Sequence, residues 1–392
     1  MKAEIIRPVR LDKSSPGREG QSTWPHVLLI LDQFPETLGG GERIVLKLAA
    51  LLPHYGYRAS ILTFSCHPAN PVVDSLPCPT YLLPLKRTYD LQAFRAALSL
   101  KRFLVEQNVQ IVQTFFESSD LWAGLVTKTL SSARLIWSRR DMGILRQSKH
   151  TIAYRVMAGV PDAVFAVSEQ VRKHCIEVDR IPPARVQTIY NGLNLSDWDM
   201  PSSPRTPSAN ITVATLGNIR RVKGHDVLIQ AAGLLAPRFP NVSFSVAGDV
   251  LEPAYYAELQ QMLANLSLTS RFHFLGGVSN LREFLSTADL FVLPSRSEGF
   301  SNAIIEAMAA SLPVIATAVG GNAEAVKDEV SGFVVPPEDP EALSVAITRL
   351  LSNPPLAKAM GEAGRTLVSQ NFTSEAMMTR ITHTYKALLA NS

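Results

Sequence analysis

The sequence predicts an α/β protein built from two doubly wound parallel-sheet domains. Three observations carry that prediction. Short apolar runs alternate with longer amphipathic segments, a stretch dense in Pro and Ser interrupts the rhythm once, and the alternation then resumes for a second series. A chain of 392 residues is also too long for one ordinary domain, so two cores are the natural division.

The first apolar run, Val27-Leu28-Leu29-Ile30-Leu31, ends at Asp32 and reads as a buried first strand. It falls far short of the roughly 20 apolar residues of a membrane span, and its flanks do not suit a signal peptide. Strands are expected next at 58–64, 80–83, 110–114, 135–138 and 163–167, with helices at 42–52, 91–107 and 168–177 between them. From Asn191-Gly192 the apolar periodicity stops, and six of the nine residues 201–209 are Pro or Ser, the composition of a linker. The second series places strands at 211–216, 242–247, 272–275, 290–293 and 314–317. The expected organisation is a loose extension at 1–24, a first domain at 25–195, a linker at 196–210, a second domain at 211–372 and a terminal helix at 373–392.

Hydrophobic residues make up 46% and charged residues 18%, enough apolar material for two cores. The net charge of +4 is well below the excess of a nucleic-acid binder, so no nucleic-acid partner is expected, while anionic substrates or a membrane surface remain compatible. The three cysteines, Cys66, Cys78 and Cys175, are odd in number and show no CxxC spacing. A disulfide framework and a zinc site are therefore disfavoured, and a reducing compartment is favoured.

In doubly wound sheets ligands lie beyond the carboxyl ends of the strands, so the loops that follow strands are where chemistry is sought. The loop after the first strand holds Gly39-Gly40-Gly41-Glu42, whose amides can approach a phosphate at a helix N-terminus; the reading as a plain turn stays open. Ile44 stands where a dinucleotide fingerprint needs its third Gly, and no GxxxxGK[ST] occurs. A second cluster, Leu216-Gly217-Asn218-Ile219-Arg220-Arg221-Val222-Lys223-Gly224-His225-Asp226, brings three cations to a strand end, which suits a diphosphate or merely a solvated face. The third cluster runs from Pro294 to Asn302 and enters an Ala-rich helix, so the amides of Gly299, Phe300, Ser301 and Asn302 fall at a helix start. Glu306, eight residues beyond Glu298 and one turn into that helix, can accept two hydrogen bonds from a ribose diol. Asp197-Trp198-Asp199 spells DxD, but it sits in the linker without a flanking strand and is rejected as a metal site.

Glu298-Gly299-Phe300-Ser301-Asn302-Ala303-Ile304-Ile305-Glu306 matches the E-x7-E motif of retaining glycosyltransferases with the GT-B fold, and the chain resembles glycosyltransferase family 4 over nearly all of 26–390. Supporting matches are Gly40-Gly41-Glu42, Ala166-Val167-Ser168-Glu169, Ile189-Tyr190-Asn191-Gly192, Lys223-Gly224, Ala247-Gly248-Asp249 and Val319-Gly320-Gly321-Asn322-Ala323-Glu324. The resemblance implies two Rossmann-like domains facing across a cleft that closes on the donor, with the C-terminal helix returning to the first domain. It further implies that Glu298 binds the donor sugar, Glu306 holds the nucleotide ribose and Lys223 neutralises the leaving diphosphate. The amides of Gly299, Phe300 and Ser301 would contact sugar and phosphates, Gly40 and Gly41 would close over the diphosphate, and Phe274-Leu275-Gly276 would flank the base.

Two departures from the family pattern matter. Asn218 stands at the position where relatives carry an Arg, leaving Arg220 as the substitute, and Phe115-Phe116-Glu117 follows the 110–114 strand where many relatives have a His. Glu117, Arg139 and Arg140 are assigned to the sugar or acceptor side, with a structural salt bridge as the competing role for the two arginines. The expected activity is metal-independent, retaining transfer from a nucleoside-diphosphate sugar to a glycan or lipid-linked acceptor, with no cofactor. The protein is expected in the cytoplasm, free or peripheral at the inner face of the membrane. A nucleotide-sugar-dependent synthase or epimerase on the same fold, and a non-catalytic nucleotide-sugar-binding relative, are the alternatives.

Overall fold

The computed structural model describes residues 6–10, 23–35, 38–67, 76–143, 146–199 and 210–390. The chain divides into two compact units: one runs to Tyr190 and takes up the chain again at Met377, and the other spans Asn191–Ala376.

Among the described residues the first unit contains eight strands: β1 (Arg7–Arg10), β2 (His26–Phe34), β3 (Arg58–Cys66), β4 (Thr80–Leu82), β5 (Val109–Thr114), β6 (Arg134–Arg139), β7 (Ala163–Ala166) and β8 (Val186–Thr188). They lie in the order β1-β4-β3-β2-β5-β6-β7-β8, all parallel except β1, which runs antiparallel to β4. Helices α1 (Gly40–Leu51), α2 (Leu91–Glu106), α3 (Gly124–Leu130), α4 (Ser148–Val156) and α5 (Glu169–Glu177) follow strands in the expected alternation. Val27 to Leu31 are fully buried, as a central parallel strand covered on both faces requires.

The expectation of a loose extension over 1–24 needs correction. Arg7–Arg10 forms β1 because the outer edge of β4 offers unpaired N–H and C=O groups that a nearby segment can satisfy. Residues 1–5 and 11–22 of that stretch lie outside the described residues.

The second unit contains β9 (Ile211–Leu216), β10 (Val242–Ala247), β11 (Phe272–Phe274), β12 (Leu290–Leu293), β13 (Val314–Thr317) and β14 (Gly332–Val335), ordered β11-β10-β9-β12-β13-β14 and all parallel. Its helices are α6 (His225–Leu235), α7 (Pro253–Asn265), α8 (Leu281–Ser286), α9 (Asn302–Ala309), α10 (Asn322–Ala325), α11 (Pro340–Leu351) and α12 (Pro354–Asn371). The last helix, α13 (Ser374–Ala390), begins in this unit, but its Met377, Met378, Ile381 and Tyr385 are part of the first unit's core. Of the segment read as a linker, 196–199 are ordered within the second unit, and 200–209 lie outside the described residues.

Each sheet has one point where strand order reverses, between β2 and β5 in the first and between β9 and β12 in the second. A doubly wound sheet opens a crevice at the carboxyl ends of such a strand pair. The loops after β2, β5, β9 and β12 are the four that carry most of the residues singled out above.

A buried histidine under the first sheet has a consequence for stability. His26 begins β2, with Nε2 2.8 Å from Ser60 Oγ and Nδ1 3.0 Å from Arg58 Nη2. Nδ1 also lies 2.9 Å from the Gln107 carbonyl, which can only accept, so Nδ1 is assigned the proton and the Ser60 hydroxyl donates to Nε2, while Arg58 donates to the same carbonyl at 2.9 Å. Burial lowers the imidazole pKa to about 4; the Gln107 carbonyl opposes that shift and the Arg58 charge reinforces it. In the unfolded chain it titrates near the usual value of about 6.5, so the unfolded state takes up the proton first as pH falls. The stability held by neutral His26 is intact above about pH 6.5 and is lost toward pH 4. Thermal unfolding of the wild type and of His26→Gln, which cannot become charged, should therefore give diverging profiles, with the wild type losing more between pH 6.5 and 4. Parallel profiles would show that His26 is not the titrating group.

Candidate functional site

The second unit assembles its site from two loops. After β9 the chain passes Gly217 and Asn218, makes a short helical turn at Arg221–Lys223 and enters α6. Gly224, between turn and helix, has φ +67, and a Cβ added there would collide with the backbone oxygen of Pro294. Only glycine adopts this left-handed geometry without strain and also permits such a close approach. The two loops are then stitched together. Arg296 N–H donates to the Val222 carbonyl at 2.8 Å, and the Arg296 guanidinium grips both carboxylate oxygens of Asp226 at 2.8 and 2.7 Å. Arg296 also donates to the Arg221 carbonyl at 2.7 Å and to Glu338 at 2.9 Å. Tyr255 donates to Asp226 at 2.5 Å. Burial works to raise the Asp226 pKa, but the bonds from Arg296 and Tyr255 prevail and hold its carboxyl below the ordinary carboxylate range.

That stitching presents Lys223 and Glu298 to each other. Lys223 Nζ lies 2.6 Å from Glu298 Oε1, and Ser295 Oγ donates to the same oxygen at 2.7 Å. The aliphatic stem of Lys223 lies over Gly217. Gly320, with φ +50, lets the loop after β13 press on the Glu298 carbonyl, while Gly321 N–H donates to the Gly299 carbonyl at 3.0 Å. His225, next to Lys223, is buried, and burial pushes its imidazole down to about 4, so no second cation forms beside the lysine near neutral pH.

Glu298 is followed by the start of α9. Ser301 is its N-cap, Phe300 is buried against Phe372 with ring centroids 5.4 Å apart, and Asn302 accepts a 2.7 Å hydrogen bond from Asn191. The first amides of α9 have no helical acceptors, so this end favours an anion or sugar oxygens. Glu306 is half-buried one turn further along. Arg220 is not stitched in this way: it is half-exposed and pairs with Glu252 at 3.3 Å. Gly276, at the end of β11, has its carbonyl taken by Gly248 N–H at 2.8 Å, and Asp249 accepts from Gly277 N–H at 2.8 Å.

In the first unit the switch point carries Gly40 and Gly41, the first residues of α1, with Gly41 packed against the Phe116 ring so closely that an added Cβ would stand 2.8 Å from it. Asp32, at the end of β2, fixes the adjacent turn by accepting from Ser118 N–H at 3.0 Å and Ser119 N–H at 2.7 Å.

Arg139 and Glu117 are both engaged in ion pairs, the competing role foreseen for Arg139. Arg139 is buried, pairs with Asp179 at 3.0 Å and stacks over the Tyr154 ring. Arg146 covers the same ring, binds Asp179 at 2.7 Å and donates to Glu117 at 3.1 Å. Tyr154 and Thr114 both donate to Asp120, whose carboxyl burial pushes up to about 7. A guanidinium at the end of a buried strand needs partners to offset its desolvation, and the acids supply them. Arg140, the next residue, is half-buried.

Asp197-Trp198-Asp199 is a clasp: Trp198 is buried, and Arg365 donates to its carbonyl at 3.0 Å and to Asp199 at 2.6 Å. Among the described residues no group of three or more His, Cys, Asp and Glu side chains is arranged to hold a metal. Ser295, Arg296, Asp226 and Tyr255 are the residues to which the sequence assigned no role. Their signal was present as opposite charges, Arg296 in the loop after β12 and Asp226 in the first turn of the helix after β9, but nothing in the sequence says that those two strands are neighbours.

The family model described as Glycosyltransferase Family 4 matches residues 38–197, and that described as Glycosyl transferases group 1 matches residues 196–367. The chain is 32% identical over 181 residues to the lipopolysaccharide core biosynthesis mannosyltransferase LpsB of Rhizobium meliloti, an alignment covering 45% of this chain and 52% of that protein. It is 29% identical to LpcC of Rhizobium leguminosarum, a mannosyltransferase of the same description, across 63% of this chain and 70% of the relative. The chain thus spans about half the length of the first of these relatives. Among solved structures it superposes on a glycosyltransferase from Rickettsia africae with a TM-score of 0.83 and 24% identity, covering 94% of this chain and all of that one. The Anabaena protein Alr3699/HepE in complex with UDP gives a TM-score of 0.82 and 21% identity over 92% of this chain and 99% of that one. Both likenesses establish the fold, which is GT-B.

The tight approach at Gly224 yields a prediction. Gly224→Ala forces a side chain into a left-handed backbone and onto the Pro294 carbonyl, which should cost about 1–3 kcal/mol of stability. Urea denaturation checks this, and a loss under about 0.5 kcal/mol, the range of a neutral surface change, would mean that the two loops are not held together here.

With its two parallel-sheet units matched in sequence by one model each, over 38–367 in all, this chain belongs to glycosyltransferase family 4.

Proposed function

We propose that the chain transfers a sugar from a nucleoside-diphosphate sugar to an acceptor hydroxyl with retention of the anomeric configuration, and that the acceptor is a glycan or a lipid-linked sugar. The observation that carries this reading is the Lys223–Glu298 pair at the switch point of the second sheet, beside the first amides of α9. A diphosphate arriving there competes with Glu298 for the lysine ammonium. Glu298, released from it and still held by Ser295, becomes an acceptor for donor-sugar hydroxyls. As the bond to the anomeric carbon breaks, charge grows on the diphosphate, where Lys223 and the α9 amides stabilise it more in the transition state than in the bound donor. The acceptor attacks from the leaving-group face, so no protein nucleophile is required. Glu306 is assigned to the ribose diol, Arg220 to the outer phosphate, and Gly40 and Gly41 to the diphosphate. Relatives described as mannosyltransferases of lipopolysaccharide core synthesis and a structural neighbour solved with UDP-glucose support this donor and acceptor class. Peripheral contact with a membrane belongs to the same reading, and metal independence is its expected corollary.

Incubating the purified chain with a panel of nucleotide-sugars, reading thermal shift first and then donor hydrolysis and transfer, tests the proposal; absence of binding and of turnover across the panel would defeat it. Lys223→Ala should lower turnover roughly 10²–10³-fold, by analogy with removal of one oxyanion donor, while the melting temperature barely moves. Retention of more than about half the turnover would take Lys223 out of the mechanism. Glu306→Ala loses charge-assisted hydrogen bonds worth about 1.5–3 kcal/mol, so nucleotide affinity measured by calorimetry should fall roughly ten- to a hundred-fold. Unchanged affinity in a folded variant would reassign Glu306 to helix packing.

A further inference from the structure

Helix α2 is apolar on two sides. Its inward side, with Ala93, Ala96, Leu100 and Leu104, is buried in the first unit. Its outward side carries a second apolar stripe: Leu91, Phe94, Leu98 and Val105 are 67%, 62%, 49% and 66% exposed. At 3.6 residues per turn these four positions fall within an arc of about 60°, nearly opposite the buried side. Cations border the stripe, with exposed Lys101 on one flank and exposed Arg95 and Arg102 on the other. Tyr89, 82% exposed, stands just before the helix, next to exposed Lys86 and Arg87. The acids on this stretch are Asp90, whose carboxylate caps the helix through Ala93 N–H at 2.8 Å, and Glu106 in the last turn.

We propose that this outer face of α2 docks on an anionic lipid surface. The chemistry fits that occupant better than a protein. Over 86–106 the cations Lys86, Arg87, Arg95, Lys101 and Arg102, all exposed, outnumber the acids Asp90 and Glu106, which suits an anionic surface. In an interfacial helix the apolar residues enter the acyl boundary while long cationic side chains snorkel to the headgroups, which is this arrangement. Among the described residues no helix is long and apolar enough to cross a membrane, so attachment through this face would be reversible and peripheral. The inference deepens the membrane contact in the functional reading by naming its surface, and it does not depend on the donor chemistry.

Co-sedimentation of the full chain with vesicles tests it. The wild type should bind vesicles of phosphatidylcholine containing phosphatidylglycerol and bind phosphatidylcholine alone far more weakly. Phe94→Asp combined with Leu98→Asp should lower partitioning at least about tenfold, and Lys101→Gln and Arg102→Gln about fivefold each. All variants should keep the wild-type melting temperature and the wild-type turnover on a water-soluble acceptor. No sedimentation with anionic vesicles, or partitioning untouched by these substitutions, would overturn the proposal. So would a dimer, measured by light scattering, that Phe94→Asp and Leu98→Asp split, because the face would then belong to a second copy. Vesicle binding without any transfer would strike at the functional reading and leave the docking face standing.

Discussion

The ion pair between Arg296 and Asp226 is the contact on which the second unit's site depends. The two residues leave different strands, β12 and β9, which are neighbours only because the strand order reverses between them. Their bidentate bond, the Arg296 N–H bond to Val222 and the fit of Gly224 against Pro294 fix the two loops to each other. Lys223 and Glu298 are then held at hydrogen-bond distance by backbones that have little freedom to part. The planar fork of an arginine suits this task better than a lysine would, since it binds the carboxylate through two parallel bonds and reaches a carbonyl besides.

Electrostatics explains why such a rigid base is useful. Lys223 and Glu298 neutralise each other, so neither leaves an uncompensated charge in a partly buried place. On the proposed function, an incoming anion would exchange one partner for another and would not have to desolvate a bare lysine. In the first unit the corresponding strand ends are organised differently: Asp32 fixes a turn through backbone amides, and the buried arginine, aspartate and tyrosine cluster around Tyr154 is internally satisfied. Arg139 is balanced there by Asp179.

The same logic separates the two apolar faces of α2. One satisfies the fold by packing on its sheet. The other does nothing for the fold and, with cations on both flanks, has the character of a surface for something outside the protein.

The sequence by itself determined the fold class and most strands, because buried parallel strands read as continuous apolar runs wherever they occur; 211–216, 242–247, 290–293 and 314–317 coincide with the strands found. It also singled out Lys223, Glu298 and the start of α9, which the structure brings together, since glycines and charges at strand ends are local features. Only the tertiary structure decided the rest. β1, Arg7-Pro8-Val9-Arg10, and β8, Val186-Gln187-Thr188, carry no continuous apolar run to mark them, and β1 exists only because β4 has an edge to pair. Whether Arg139 meets a ligand or Asp179, and whether Asp226 meets solvent or Arg296, depends on residues 40 and 70 positions away in the chain. Such pairings are set by strand order and loop closure, which are properties of the packed sheet, and no window of sequence contains them.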